Sequence, residues 1–285
     1  MLNCKYLGYN EKVLLGTIMR EKYNPGKETL LAVYNTVANR YDAYLTDFPN
    51  IAAIDDSPFS AVDQVETRKA LESCYDSATK TFSAIRGKIL TDQPEAIKSL
   101  CPYCLLSWPN TLDHYIGKGK FPEFSILCRN LIPCCGHCNN IKLENWRDGG
   151  RRRFIHFYND NFLHHRFLRA RLVYSAGKPV PRINYYLEQP GEMADADFQI
   201  VRWHFEDLDL LSKYNQRAIP TFSSEYASYR NMNVEQHNSP ARIRRMLLNK
   251  YRSDAAQFCG NYYVAIIYET LANDANFLAS LQAQP

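Results

Sequence analysis

Two pairs of cysteines, Cys101-Pro-Tyr-Cys104 and Cys135-Gly-His-Cys138, carry the clearest chemistry in this sequence. A CxxC knuckle presents two thiolates to a tetrahedral ion, and two knuckles complete the Cys4 set of a structural zinc site. Cys134 adjoins the second pair and can replace Cys135 with a small change of turn, so the sequence leaves that ligand open between the two. His137, inside the second knuckle, reads as a solvent-facing residue and not as a ligand. Between the knuckles stands Asp113-His114, a carboxylate beside an imidazole. Such a pair can hold a metal ion and accept a proton, since the ordinary pKa of histidine, about 6.5, leaves the ring free as a base at neutral pH. Neighbours on a strand face opposite sides, so both can serve one site only with a local twist or bulge.

The motifs run in the order CPYC, LDH, KGKFPEFS, NLIPCC, CNNIK. This order resembles the HNH endonucleases of the ββα-metal, or His-Me finger, class, and in particular zinc-stapled members with an aspartate-histidine dyad. The resemblance is close from Leu100 to Lys142, and looser at His156-Phe-Tyr-Asn-Asp160 and the hairpin after it. It implies a metal-dependent endonuclease that hydrolyses phosphodiester bonds of double-stranded DNA, leaving 5′-phosphate and 3′-hydroxyl ends. It further implies that Asp113 and Asn139 hold a catalytic Mg²⁺ or Mn²⁺ and that His114 is the general base. Asn130 would fix the strand-connecting loop and help orient the histidine. Many members have histidine where this chain has Asn139, whose amide oxygen suits a hard ion. Zinc would staple a finger too small for its own core, and the second ion would polarise the phosphate. Gly117-Lys118-Gly119-Lys120 stands where the loop often reads Pro-Lys-Ser-Lys, which predicts a more mobile loop with one hydroxyl fewer.

These residues need a scaffold, and the patterning predicts an α+β chain: a helical N-terminal lobe over 1–97, a zinc-stapled ββα finger over 98–160, and a small antiparallel sheet with helices over 161–285. In the first part Leu30, Tyr34, Val37, Tyr41 and Tyr44 recur at helical spacing. Ser57-Pro58 resembles a helix start, with Leu71, Cys74, Ala78, Phe82 and Ile85 as the apolar stripe behind it. In the last part, runs at 169–174 and 182–187 flank the turn Ser175-Ala176-Gly177-Lys178-Pro179 and read as a hairpin. Phe198 to Phe205 alternates like a third strand, Ser239-Pro240 opens another helix, and Val264 to Leu281 reads as a closing buried helix.

Charge locates the expected partner. Lys118 and Lys120 are suited to phosphate, as are Lys142 and the run Arg151-Arg152-Arg153, which is interleaved with Phe154, Phe157 and Tyr158. The basic stretch 242–252 reads equally well as a solvated helix face, and His156 reads more simply as a packing residue than as part of the site. The net charge of +4 is too mild to identify a partner by itself, and with 46% hydrophobic and 22% charged residues the disordered and collagen-like classes are excluded. No stretch is apolar for the eighteen or so residues needed to span a bilayer, and Met1 to Gly16 is too interrupted for a signal peptide, so a cytoplasmic protein with no membrane partner is expected. A free nuclease endangers its host, which suggests an effector of anti-phage defence working with a separate ATPase or sensor protein. The rival reading is a non-catalytic zinc-knuckle module that binds nucleic acid or protein; it leaves the dyad and both asparagines without a role.

Overall fold

The computed structural model describes residues 1–46, 48–235 and 239–282. The chain divides into a unit of residues 3–160 and a unit of residues 161–285 with Met1 and Leu2.

The first unit begins with helices α1 (Glu11–Glu21), α2 (Gly26–Ala32), α3 (Tyr34–Thr46), α4 (Val65–Asp76), α5 (Lys80–Thr91) and α6 (Glu95–Ser99). Strands β1 (Thr111–His114) and β2 (Leu131–Cys134), helix α7 (Gly136–Lys142), and the short pair β3 (Arg147–Asp148) and β4 (Arg151–Arg152) follow. Of the sequence stripes, Leu30, Val37, Tyr41, Tyr44, Leu71, Cys74, Phe82 and Ile85 are buried, while Tyr34 and Ala78 are half-buried. Each stripe is nevertheless shared by two helices. The first breaks at Val33, and the second breaks after Asp76, where Thr79 caps α5 by accepting the Phe82 amide. A threonine side chain that satisfies an orphan helical N–H favours a new start over continuation. Ser57-Pro58 starts no helix. The Ser57 hydroxyl instead donates to Glu123 at 2.6 Å, and Glu123 also pairs with Arg40 of α3 at 3.0 Å.

Buried polar groups tie these helices to the segment that carries the motifs. Glu11, in the first turn of α1, accepts from the backbone amides of Cys128 and Arg129 and from the Tyr6 hydroxyl. Ser125 donates through its hydroxyl to the Leu71 carbonyl of α4. These contacts join the motif segment to the helices around it and give its buried backbone groups partners.

The second unit comprises β5 (Leu168–Val173), β6 (Arg182–Leu187), α8 (Asp195–Asp207), α9 (Leu210–Glu235), α10 (Pro240–Gln257), α11 (Tyr263–Asn273) and α12 (Ala275–Gln282). The strands pair antiparallel from Leu168 opposite Leu187 to Val173 opposite Arg182, and pack against α9 and α11. Ser239 caps α10, its side chain accepting from the Arg242 amide. Phe198 to Phe205 is not a strand; it lies within α8, where Ile200, Val201, His204 and Phe205 form the buried face. Positions i, i+1, i+4 and i+5 share one helical face and do not alternate, and Asp195 and Asp197 in the first turn favour the helix through its dipole. The closing helix is two helices, α11 and α12, separated at Asp274, whose carboxylate accepts the Phe277 amide. Among the described residues no helix is long and apolar enough to cross a membrane.

Candidate functional site

The four knuckle sulfurs of Cys101, Cys104, Cys135 and Cys138 lie within 4.8 Å of one another, and all four residues are buried. Four sulfurs about 2.3 Å from one zinc stand roughly 3.8 Å apart at the corners of a tetrahedron, and Cys104 Sγ lies 3.9 Å from Cys135 Sγ. The set fits zinc. The first knuckle is a tight turn in which the Leu105 amide donates to the Cys101 carbonyl at 2.8 Å. The second is built on the start of α7, with Cys135 as its N-cap residue and Cys138 within it. The Cys135 amide donates to Cys101 Sγ at 3.3 Å, and hydrogen bonds from the neighbouring thiols pull the Cys135 pKa well below the ordinary thiol value. Tertiary structure also settles the choice left open by the sequence. Cys134 sits on β2 opposite Thr111, its thiol donating to the Cys135 carbonyl, while Cys135 joins the cluster.

β1 and β2 form an unbroken antiparallel ladder, Thr111 opposite Cys134 through His114 opposite Leu131, and α7 packs on β1. The ladder has no bulge, so Asp113 and His114 diverge. His114 is half-buried; its Nε2 lies 2.9 Å from the Ser125 carbonyl and its ring meets Tyr75 of α4 edge-on at 4.4 Å. A carbonyl only accepts, so Nε2 carries the proton and Nδ1 keeps the lone pair. Desolvation lowers the His114 pKa to about 3 against the favourable Ser125 contact, and Lys118 and Lys142 add to the depression. The ring is therefore neutral at neutral pH, with Nδ1 as its unprotonated nitrogen.

Asp113 points the other way, into the core. Its carboxylate is 1% exposed, accepts the Tyr103 hydroxyl at 2.6 Å, and pairs at 3.1 Å with the fully buried Lys142 at the end of α7. Lys142 also donates to the carbonyls of His114 at 2.8 Å and Leu143 at 3.4 Å, so its three donors all have acceptors. The carboxylate is thus neutralised and enclosed, and a divalent ion bound to it would have an ammonium as its neighbour. The arrangement corrects two expectations: Asp113 does not fit a catalytic ion here, and Lys142 is not on a surface that nucleic acid could reach.

Asn139 lies on α7 with its amide nitrogen 3.4 Å from both Thr111 Oγ1 and the Leu112 carbonyl, contacts that bind the helix to β1. Asn130, completely buried, pins the loop after β1. Its side chain accepts the Ile116 amide and the Tyr44 hydroxyl and donates to the carbonyls of Ile116 and Phe124. Ser125, which receives the His114 proton donor, follows directly. The chain of contacts runs on through Tyr44 to His156 Nε2 at 3.1 Å. Since the Tyr44 hydrogen goes to Asn130, His156 donates through Nε2, and its Nδ1 accepts the Tyr158 amide.

The other cations differ in availability. Lys118 is ion-paired with Asp76 of α4 and lies over the Tyr75 ring at 5.2 Å. Lys120 is exposed beside Glu144 and Arg68 in a polar cleft, and Arg151 is exposed as well. Arg153 lies 3.7 Å from Asp148. Arg152 is mostly buried and bonded to Asp160 at 2.9 Å, where it supports the turn at His156 and is not free for phosphate. On α10, Arg244 binds the Ala272 carbonyl and Lys250 pairs with Glu225. A Cβ at Gly117 would lie 1.9 Å from the Glu144 carboxylate, so the end of that side chain would have to move; its other oxygen accepts the Gly119 amide.

Sequence reasoning missed Tyr103 and Lys142 as the partners of Asp113, and Tyr75, Asp76 and Arg86 as the surroundings of His114. The spacing of Asn139 and Lys142, one helical turn apart, was the available signal for the former; helix positions remote in sequence gave none for the latter.

No protein-family model matches this chain, and no solved structure matches it. Protein ea31 of Escherichia phage lambda is 24% identical over 228 residues, covering 75% of this chain and 75% of that protein.

Proposed function

We propose that the chain is an endonuclease of the HNH, ββα-metal class that cleaves DNA, with His114 taking the proton from the attacking water. The supporting observation is the committed tautomer of His114: Nε2 is held by the Ser125 carbonyl, so that Nδ1 is the basic atom. Two short antiparallel strands and a helix stapled by four cysteines supply the rigid frame that a general base needs. Asn130 and Tyr44 hold the loop that carries Ser125 and so fix the ring. Because Asp113 is enclosed, no step is assigned to a divalent ion there; Lys118, Lys120 and Arg151 supply positive charge for the phosphate backbone.

Plasmid nicking by the purified chain, with Mg²⁺, with Mn²⁺ and with chelator, tests the proposal when run beside His114→Ala. Cleavage lost in the variant, with zinc content retained, is the expected result. Cleavage unchanged in the variant overturns it. The enclosed Asp113 favours a second reading, a zinc-stapled module that binds nucleic acid without cutting, for which neither protein cleaves under any of these conditions.

A further inference from the structure

The surroundings of His114 contain a feature that lies outside the cysteine-framed segment. The side chain of Tyr75, in the last turn of α4, is the meeting point of three basic groups. The His114 ring meets it edge-on at 4.4 Å, the Arg86 guanidinium of α5 stands over it at 4.4 Å, and the Lys118 ammonium lies at 5.2 Å. His114 and both cations therefore lie within about 10 Å of one another, a span covered by a few successive phosphates of one strand at about 3.4 Å of axial rise each. Arg86 is half-buried and donates through Nη1 to the Tyr75 carbonyl at 3.3 Å, which fixes its reach. It also lines a cleft of about 320 Å³ with Ser83 of α5 and with Thr111 and Leu112 of β1, the strand that carries His114. The Lys118 arm is taken by the carboxylate of Asp76, which is 55% exposed.

Asp76 thus presents to the Lys118 ammonium an anionic oxygen, the kind of atom that a phosphate would present. We infer that Arg86 and Lys118 form a phosphate clamp that holds a DNA strand across Tyr75 next to His114, and that Asp76 fills the Lys118 arm until a phosphate displaces it. The clamp rests on the DNA-directed reading above and extends the site to the helices: α4 supplies the platform and the competing anion, α5 one cation, and the loop after β1 the other. Arg86 and Lys118 are phosphate-binding residues; Tyr75 and Asp76 act through them.

The test is equilibrium binding of a short duplex DNA to the full chain, without added divalent ion and across a salt series. Asp76→Asn frees Lys118 and is expected to tighten binding about two- to fivefold, the worth of one exposed ion pair. It should also steepen the slope of log affinity against log salt by about one. Arg86→Gln is expected to weaken binding and flatten that slope by about one. In a Lys118→Gln background, Asp76→Asn should have no effect, which separates release of the lysine from a general gain of positive charge. Unchanged affinity and slope in Asp76→Asn and Arg86→Gln, or an Asp76→Asn gain that persists without Lys118, overturns the clamp. Cleavage that depends on His114 with no such shifts in binding removes the clamp alone. The expected shifts without cleavage leave the clamp standing and remove the nuclease reading.

Discussion

Replacing Lys142 with methionine tests the central structural finding, that Asp113 is held by an internal ammonium. The methionine keeps most of the volume of the lysine stem but removes the charge, and the carboxylate is left with the Tyr103 hydroxyl as its remaining hydrogen-bond donor. Both partners are fully enclosed, at 0% and 1% exposure, so solvent cannot screen the loss. Breaking one side of a buried pair costs about 3–5 kcal/mol, because the surviving charge remains desolvated. At roughly 2–4 °C per kcal/mol for a unit of this size, the melting temperature of residues 3–160 should fall by about 10 °C. Circular dichroism follows the transition, and hydrogen exchange at β1 and α7 locates the damage. The double variant Asp113→Asn, Lys142→Met removes both charges and should recover most of the loss. A fall of less than about 1 kcal/mol in the single variant, or a double variant no better than the single, refutes the reasoning. Titration with Mn²⁺ adds an independent check: Lys142→Met should take up the ion more readily than the parent, because the competing ammonium is gone.

Three other expectations follow from the same contacts. Cys135→Ser should lose bound zinc and unfold the knuckle region, whereas Cys134→Ser should retain a full zinc equivalent by metal analysis; equal losses would show that Cys134 is a ligand. Burial, reinforced by Arg152 and Arg129, holds the His156 pKa well below its ordinary value of 6.5. Below about pH 6.5 the unfolded chain thus binds a proton that the folded chain refuses, and stability should decline on acidification by up to about 1.4 kcal/mol per pH unit. Thermal melts from pH 7 to pH 5 should show a shallower decline for His156→Gln than for the parent; parallel curves would contradict the assignment. Gly117→Ala should expel the Glu144 carboxylate and free the Gly119 amide at a cost of about 1 kcal/mol, read as faster exchange of that amide with the rest of the unit unchanged.

The cysteine spacing alone was enough to predict a Cys4 cluster, since two thiolates three positions apart in each knuckle are a local property and their meeting follows from one ladder, β1 on β2. The hairpin at β5 and β6 and the caps at Ser239 and Thr79 are local in the same sense, and Ser239 was readable as a start signal. Phe198 to Phe205 misled because the buried set Ile200, Val201, His204 and Phe205 serves a helix, and only the packing of α8 selects that period. The dyad shows the limit most clearly. Sequence could place Asp113 and His114 side by side and state that a regular strand would separate them, but it could not decide whether the strand was regular. Tertiary structure decided it, by bringing Lys142 and Tyr103 to one side of β1 and Tyr75 and Ser125 to the other. Those partners lie ten or more residues away in sequence, and burial gives their charges and hydrogen bonds a strength that no local pattern encodes.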